Sequence, residues 1–259
     1  MPRVSIAKIL PKISRQELFA RKKCYLGISL ENPLFEGDSL HAMLVWAAEK
    51  FENCLVIVGD YLSRFNERIS AGCDENKAGE LALKLGDSFI SQTREIFTGL
   101  PPGKIRLTRW REHLQSDRFR SAKKILDCVF ESNEQFRAAV EYDALSFVKR
   151  QKKHNVNLAV PMEQAIRLSS EYILEEVAVF NVLSESGWTV ELYPGSELRV
   201  LAEVAKGEYP DVPAGLKGRV NVELKIGRPP TTTSPRPTNY RGREGKQAGG
   251  PPSTTFEGR

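Results

Sequence analysis

What the chain lacks narrows its function first. Its 259 residues contain no apolar run long enough to cross a bilayer. The N-terminus has neither the apolar core nor the small-residue cleavage site of a secretory signal, so a cytoplasmic protein with no membrane partner is expected. Cysteine is scarce: Cys24, Cys54, Cys73 and Cys128 are the four, with no C-x-x-C spacing. Two of them fall in segments expected to be core strands, which favours reduced buried thiols over disulfides or zinc ligands, and no metal is expected. Histidine is scarcer still, with three: His41, His113 and His154. None has an evident acidic partner to orient it, so a Ser-His-Asp hydrolase has little support. The chain has no G-x-x-x-x-G-K-[ST] loop and no G-x-G-x-x-G fingerprint. Nucleoside triphosphate and dinucleotide sites are therefore not indicated, and no cofactor is expected.

What is present fits a globular α/β protein. Hydrophobic residues make up 41% and charged residues 27% of the chain. The net charge of +5 is concentrated at one end: residues 228–259 hold six Lys/Arg against two Glu, which leaves +1 for residues 1–227. Eleven of residues 229–259 are Pro or Gly, a composition that cannot bury enough surface to offset its ordering entropy, so a disordered basic tail is expected over 228–259. Its Arg241-Gly242-Arg243 run is suited to RNA backbone, or is simply solvated. Residues 1–22 read as a loose lead-in with one short helix near Arg15–Arg21, and residues 23–227 as a single domain.

Within that domain, strands are expected at Cys24–Ile28, Cys54–Val58, Lys104–Leu107, Thr189–Leu192 and Val220–Ile226. Helices are expected near Ser39–Phe51 with Asp38 as its cap, Glu80–Phe97 ending at Gly99, Asp117–Phe130, Asn133–Lys152, Pro161–Ser186 ending at Gly187, and Ser196–Val204. The uninterrupted apolar run Cys54–Val58 implies burial on both faces, as in a parallel sheet. Strand, helix, strand is a right-handed βαβ unit. The alternation predicts a Rossmann-like, mostly parallel sheet flanked by helices, with an added helical layer.

Three stretches carry chemistry. Lys23–Pro33 is a short strand that ends on Ser29 and breaks into a turn before a helix, a usual way to present a side chain at the end of a buried sheet. Such serines more often only satisfy turn amides. Tyr172 and Glu176 stand four residues apart on one helix and share a face, beside Ile166, Val179 and Leu183. Glu176 is expected to be partly desolvated and Glu175 to point elsewhere, into solvent. Tyr193 closes a strand, with Pro194 forcing the backbone out of the ladder. Two basic clusters suit a phosphate backbone or are solvated faces: Lys104, Arg106, Arg109, Arg111, Arg118, Arg120, Lys123 and Lys124, then Lys149, Arg150, Lys152 and Lys153 with His154.

In their order and separation, Leu26-Gly27-Ile28-Ser29 with Asn32, Leu44-x-Trp46-Ala47 with Phe51, the strand ending in Asp60, Tyr172-x-x-x-Glu176 and Tyr193 resemble the tRNA-dependent cyclodipeptide synthases. The resemblance spans roughly residues 16–227. It implies a fold similar to the catalytic domain of class I tyrosyl- and tryptophanyl-tRNA synthetases. The absence of H-x-G-H and K-M-S-K-S agrees with an enzyme that takes already activated amino acids without ATP. It further implies a monomer that joins the aminoacyl groups of two aminoacyl-tRNAs into a cyclic dipeptide, a 2,5-diketopiperazine, by a ping-pong route through aminoacyl-Ser29 and a dipeptidyl-enzyme. On this resemblance Tyr172 and Glu176 hold the first ammonium, and Glu176 also takes a proton when the second aminoacyl-tRNA's amine attacks the acyl-enzyme. Tyr193 assists cyclisation, and Gly27 and Asn32 shape the turn. Tyr25, Ile57, Gly59 and Val179 line the first aminoacyl pocket, where the Tyr25 hydroxyl and the missing side chain at Gly59 leave room for a polar or larger group. Tyr193-Pro194 resembles the family branch with a Tyr-Pro pair, whereas Asn32 is more typical of the other branch. The Glu80–Phe97 helix carries only Lys84 and Arg94, which moves the expected tRNA contacts to the two basic clusters. The alternatives are a non-catalytic tRNA- or RNA-binding protein with a synthetase-like fold, and a serine hydrolase.

Overall fold

The computed structural model describes residues 1–227 apart from Glu31 and residues 154–157. The expected tail at 228–259, with Arg241-Gly242-Arg243, and His154 lie outside the described residues. In chain order the elements are β1 (Arg3–Leu10), α1 (Arg15–Ala20), β2 (Lys23–Ile28), α2 (Gly37–Lys50), β3 (Asn53–Val58), α3 (Arg64–Ala71), α4 (Glu75–Thr98), β4 (Ile105–Arg109) and α5 (Trp110–Leu114). They continue with α6 (Asp117–Ser132), α7 (Glu134–Lys153), α8 (Met162–Glu185), β5 (Val190–Tyr193), α9 (Arg199–Ala205), α10 (Ala214–Lys217) and β6 (Val220–Gly227). The six strands form one sheet in the order β1-β6-β5-β2-β3-β4. Every pairing is parallel except β1 with β6. The Rossmann-like α/β expectation therefore holds.

Alternation along β2 divides the core. Cys24, Leu26 and Ile28 face one layer, where Leu40, Met43, Leu44 and Ala47 of α2 and Phe89 of α4 complete the packing. Tyr25 faces the other layer with Leu55 and Ile57, beneath α8 and the helices packed on it; its ring lies 5.5 Å from that of Phe180. This second layer is the added helical one. The central strands β2 and β3 thus bury both faces, as parallel sheets require.

Several boundaries differ from expectation. Residues 1–22 are not a loose lead-in: Arg3–Leu10 forms the edge strand, because Val4, Ile6 and Ile9 turn their side chains onto the core while the backbone pairs with β6. Asp38 is not a cap. Helix α2 begins at Gly37, with Glu36 in the capping position, and Asp38 sits in the first turn, where its charge suits the helix dipole. Helix α4 starts before Glu80, at Glu75, because the Asp74 carboxylate accepts from the Lys77 amide. Helices α3, α5 and α10 are additional to those expected.

The largest correction concerns Glu175. It is 5% exposed. Its carboxylate accepts both Arg64 terminal nitrogens, at 2.8 and 2.5 Å, and the Trp110 indole N–H at 3.0 Å. A bidentate ion pair with a further donor offsets desolvation well, but removing one partner strands the other charge. Glu175→Ala is expected to lower the unfolding free energy by about 3–5 kcal/mol. The double replacement Arg64→Met with Glu175→Leu is expected to recover most of that loss, as read by urea denaturation of each variant.

Candidate active site

The chain runs from β2 to β3 on one side and returns, through all the intervening helices, to β5 on the other. The carboxyl ends of β2 and β5 therefore flank a topological switch point, where open α/β sheets leave a crevice. Ser29 follows β2, and Tyr193 ends β5. A cavity of about 220 Å³ opens there, lined by Gly27, Ser29, Tyr172, Glu176 and Tyr193 among others. Ser29 and Tyr172 are far apart in sequence and line one cavity because α8 crosses this end of the sheet.

The turn after β2 is held from both sides. The Ser29 carbonyl accepts from the Asn32 amide at 3.1 Å, and the Asn32 side chain accepts from the Leu34 amide at 3.0 Å. On the neighbouring strand the Gly59 amide donates to the Ile28 carbonyl at 3.0 Å. A Cβ on Gly59 would lie 2.7 Å from that carbonyl oxygen, so this glycine serves backbone approach and not substrate room, contrary to expectation. The room is at Gly27, where an added Cβ would meet nothing within 4 Å among the described residues beyond its chain neighbours. Ile57 and Gly59 line the cavity, whereas Tyr25 and Val179 are fully buried and are not among its lining residues.

Glu176 is half-buried against the cavity. Burial raises its pKa to about 8, the Glu191 and Asp143 carboxylates add to the rise, and the Arg219 guanidinium opposes it. Burial also raises the Tyr193 hydroxyl, as does the Glu176 carboxylate, while a hydrogen bond with Asn32 acts the other way. Tyr172 lines the cavity with its ring 6.2 Å from that of Phe65. A serine hydroxyl, a carboxyl poised near neutrality and two tyrosines thus border one enclosed space, a set suited to covalent acyl transfer with local proton exchange.

Residues 10–183 match the family model described as cyclodipeptide synthase. The chain belongs to the cyclodipeptide synthase family. It is therefore an enzyme, an aminoacyltransferase. No curated protein sequence matches it. Among solved structures, a cyclodipeptide synthase from Fluoribacter dumoffii is similar at 20% identity with a TM-score of 0.74, covering 89% of this chain and 100% of that one. A Mycobacterium tuberculosis protein, reported to show that cyclodipeptide synthetases are related to type I tRNA synthetases, is 14% identical with a TM-score of 0.65, covering 84% and 92%. A cyclodipeptide synthase from Candidatus Glomeribacter gigasporarum bound to Phe-tRNAPhe is 16% identical with a TM-score of 0.59, covering 86% and 93%. At these identities the likeness speaks for the fold.

The basic clusters of this synthase family member divide by what holds them. Arg109 is tied to Asp60 at 2.5 Å and Asp87 at 2.6 Å, Lys104 donates to the Ala48 carbonyl at 2.8 Å, Lys123 pairs with Asp127 at 2.5 Å, and Arg120 pairs with Asp117. Arg106, Arg111, Arg118, Lys124, Lys149, Lys152 and Lys153 are exposed. Arg150, also exposed, is the member of either cluster that lines the cavity. Among the described residues no histidine lines it.

Sequence reasoning missed a buried polar floor. Arg219, Glu191, Glu197 and Asn221 all line the cavity. A signal was available: Glu191, Arg219 and Asn221 alternate with Val190, Leu192, Val220 and Val222 in strands whose other face is apolar, which is unusual for a strand buried on both sides.

The raised pKa of Glu176 has a definite sign in stability. Its folded value of about 8 exceeds the ordinary 4.5, so the unfolded chain gives up the proton first and stability falls as pH rises from 4.5 to 8. Glu176→Gln removes that loss. The variant is expected to match the parent near pH 4 and to exceed it by on the order of 1–3 kcal/mol at about pH 8.5, measured by urea denaturation at both values.

Proposed function

We propose that this enzyme joins the aminoacyl groups of two aminoacyl-tRNAs into a cyclic dipeptide by a ping-pong route through Ser29, without ATP. The observation that carries this reading is the shared cavity of Ser29, Tyr172, Glu176 and Tyr193 at the switch point. Family membership supports it, as does a relative of the same fold bound to Phe-tRNAPhe.

Ser29 Oγ attacks the ester carbonyl of the first aminoacyl-tRNA. The bond from that carbonyl to the ribose oxygen breaks, and the ribose oxygen takes the serine proton. Tyr172 and Glu176 hold the amino group of the acyl-enzyme. That amine then attacks the ester carbonyl of the second aminoacyl-tRNA, since the opposite direction would leave the dipeptide on the tRNA and not on Ser29; Glu176 accepts the amine's proton and returns it to the second ribose oxygen as that oxygen leaves. In the dipeptidyl-Ser29 ester that results, the terminal amine attacks the ester carbonyl, and Ser29 Oγ regains a proton as the ring leaves, with Tyr193 passing the proton. A carboxyl with a pKa of about 8 suits both acceptance and return of a proton near neutral pH.

Arg150 at the cavity and the exposed Arg106, Arg111, Arg118, Lys124, Lys149, Lys152 and Lys153 supply charge for tRNA phosphates. The enzyme acts as a monomer of the Tyr-Pro branch, within the cytoplasm. Among the described residues no helix is long and apolar enough to cross a membrane.

Ser29→Ala is expected to abolish diketopiperazine formation, by at least about a thousandfold given the loss of the covalent route. Mass spectrometry of the medium of expressing bacteria reads the product, and transfer of radiolabel from aminoacyl-tRNA to protein reads the intermediate. Product and label that both persist in the variant would show that Ser29 is not the nucleophile.

A further inference from the structure

The cavity floor is built around one buried guanidinium and two carboxylates. Arg219 is 3% exposed and is shared among three partners: its Nε donates to the Tyr25 hydroxyl at 3.0 Å, one terminal nitrogen donates to Glu197 Oε1 at 2.5 Å, and the other pairs with Glu191. Asn221 donates to the same Glu191 oxygen at 3.2 Å. Two carboxylates thus share one guanidinium, and Lys8 adds a favourable charge to Glu197 from outside the cluster.

A second observation is independent of that count. The Glu197 side chain is 2% exposed, and its Oε2 is sealed from solvent and accepts no hydrogen bond among the described residues. A buried carboxylate oxygen without a donor is costly and rare in a folded protein. Glu197 is among the residues that line the cavity, so a ligand that parts the packing over Oε2 would supply the donor.

The path from the nucleophile to this floor is open. Tyr25, Gly27 and Ser29 stand on one face of β2 and its continuation, with Tyr25 roughly 13 Å below Ser29 by strand rise. Gly27 lies between them, and among the described residues beyond its chain neighbours no atom comes within 4 Å of where its Cβ would be. An acyl group on Ser29 can therefore send a long side chain over Gly27 towards Glu197.

We propose that the Arg219–Glu191–Glu197 floor is a side-chain subsite for a basic aminoacyl group, lysyl or arginyl, whose terminal nitrogen donates to Glu197 Oε2. This rests on the acyl-enzyme reading above and names its substrate class. An apolar side chain would leave that oxygen without a donor.

The test offers the full-length protein tRNA charged with one radiolabelled amino acid at a time (lysine, arginine, leucine or phenylalanine), and separately a tRNA pool charged with all amino acids. Label captured on the protein is counted, and diketopiperazines are identified by mass. Capture from lysyl- or arginyl-tRNA is expected to exceed that from leucyl- and phenylalanyl-tRNA by at least roughly tenfold. Glu197→Gln, which can still accept from Arg219, is expected to reduce that preference by about tenfold while its circular dichroism spectrum is unchanged. Capture from the full pool without preference for the basic groups overturns this inference alone, as does a preference that Glu197→Gln leaves intact. Failure to capture label from the full pool overturns the acyl-enzyme reading and this inference with it.

Discussion

Parallel pairing of β2 with β5 is the constraint on which the site depends. The two strands are neighbours in space but distant in sequence, and no short loop can join parallel strands. The chain must leave β2 towards β3 and come back from the far side, so the crevice at their carboxyl ends has no connection crossing it. Ser29 and Tyr193 occupy the two lips. Helix α8, the last element before β5, lies over the same face and brings Tyr172 and Glu176 to the space between them.

Within α8, adjacent glutamates have opposite uses because consecutive helical residues point about 100° apart. Glu175 turns to α3 and α5, where Arg64 neutralises it and the Trp110 indole N–H donates to it, which fixes the helix over the sheet. Glu176 turns to the cavity, where acids outnumber nearby bases, and its proton is held more tightly. The first carboxylate positions the second: an anchor whose charge is fully answered supports a neighbour whose charge is not.

The sheet and the long helices are legible in the sequence because their signals are local. The apolar runs at Cys24–Ile28 and Cys54–Val58 and the Pro161 and Gly187 bounds of α8 each specify their own segment. Glu175 misleads because its partner Arg64 is distant in sequence, so nothing near it reveals the pairing. The strand β1 escapes notice because an edge strand shows only a weak alternation until β6 is there to pair with it. The roles of Gly27 and Gly59 exchange for a similar reason: both lack a side chain, and only the neighbouring backbone tells which absence makes space. For Arg219, Glu191 and Asn221 the alternation is visible, but their convergence on one cavity requires the strand order.

Gly27 has a consequence for descent as well as for chemistry. The depth of the cavity beneath Ser29 is set at a position where nothing is present, while the strand pairing at that position is made by backbone alone. A single codon change there would fill part of the chamber while leaving the strand pairing as it is, so the volume open to a bound group can change without a change of fold.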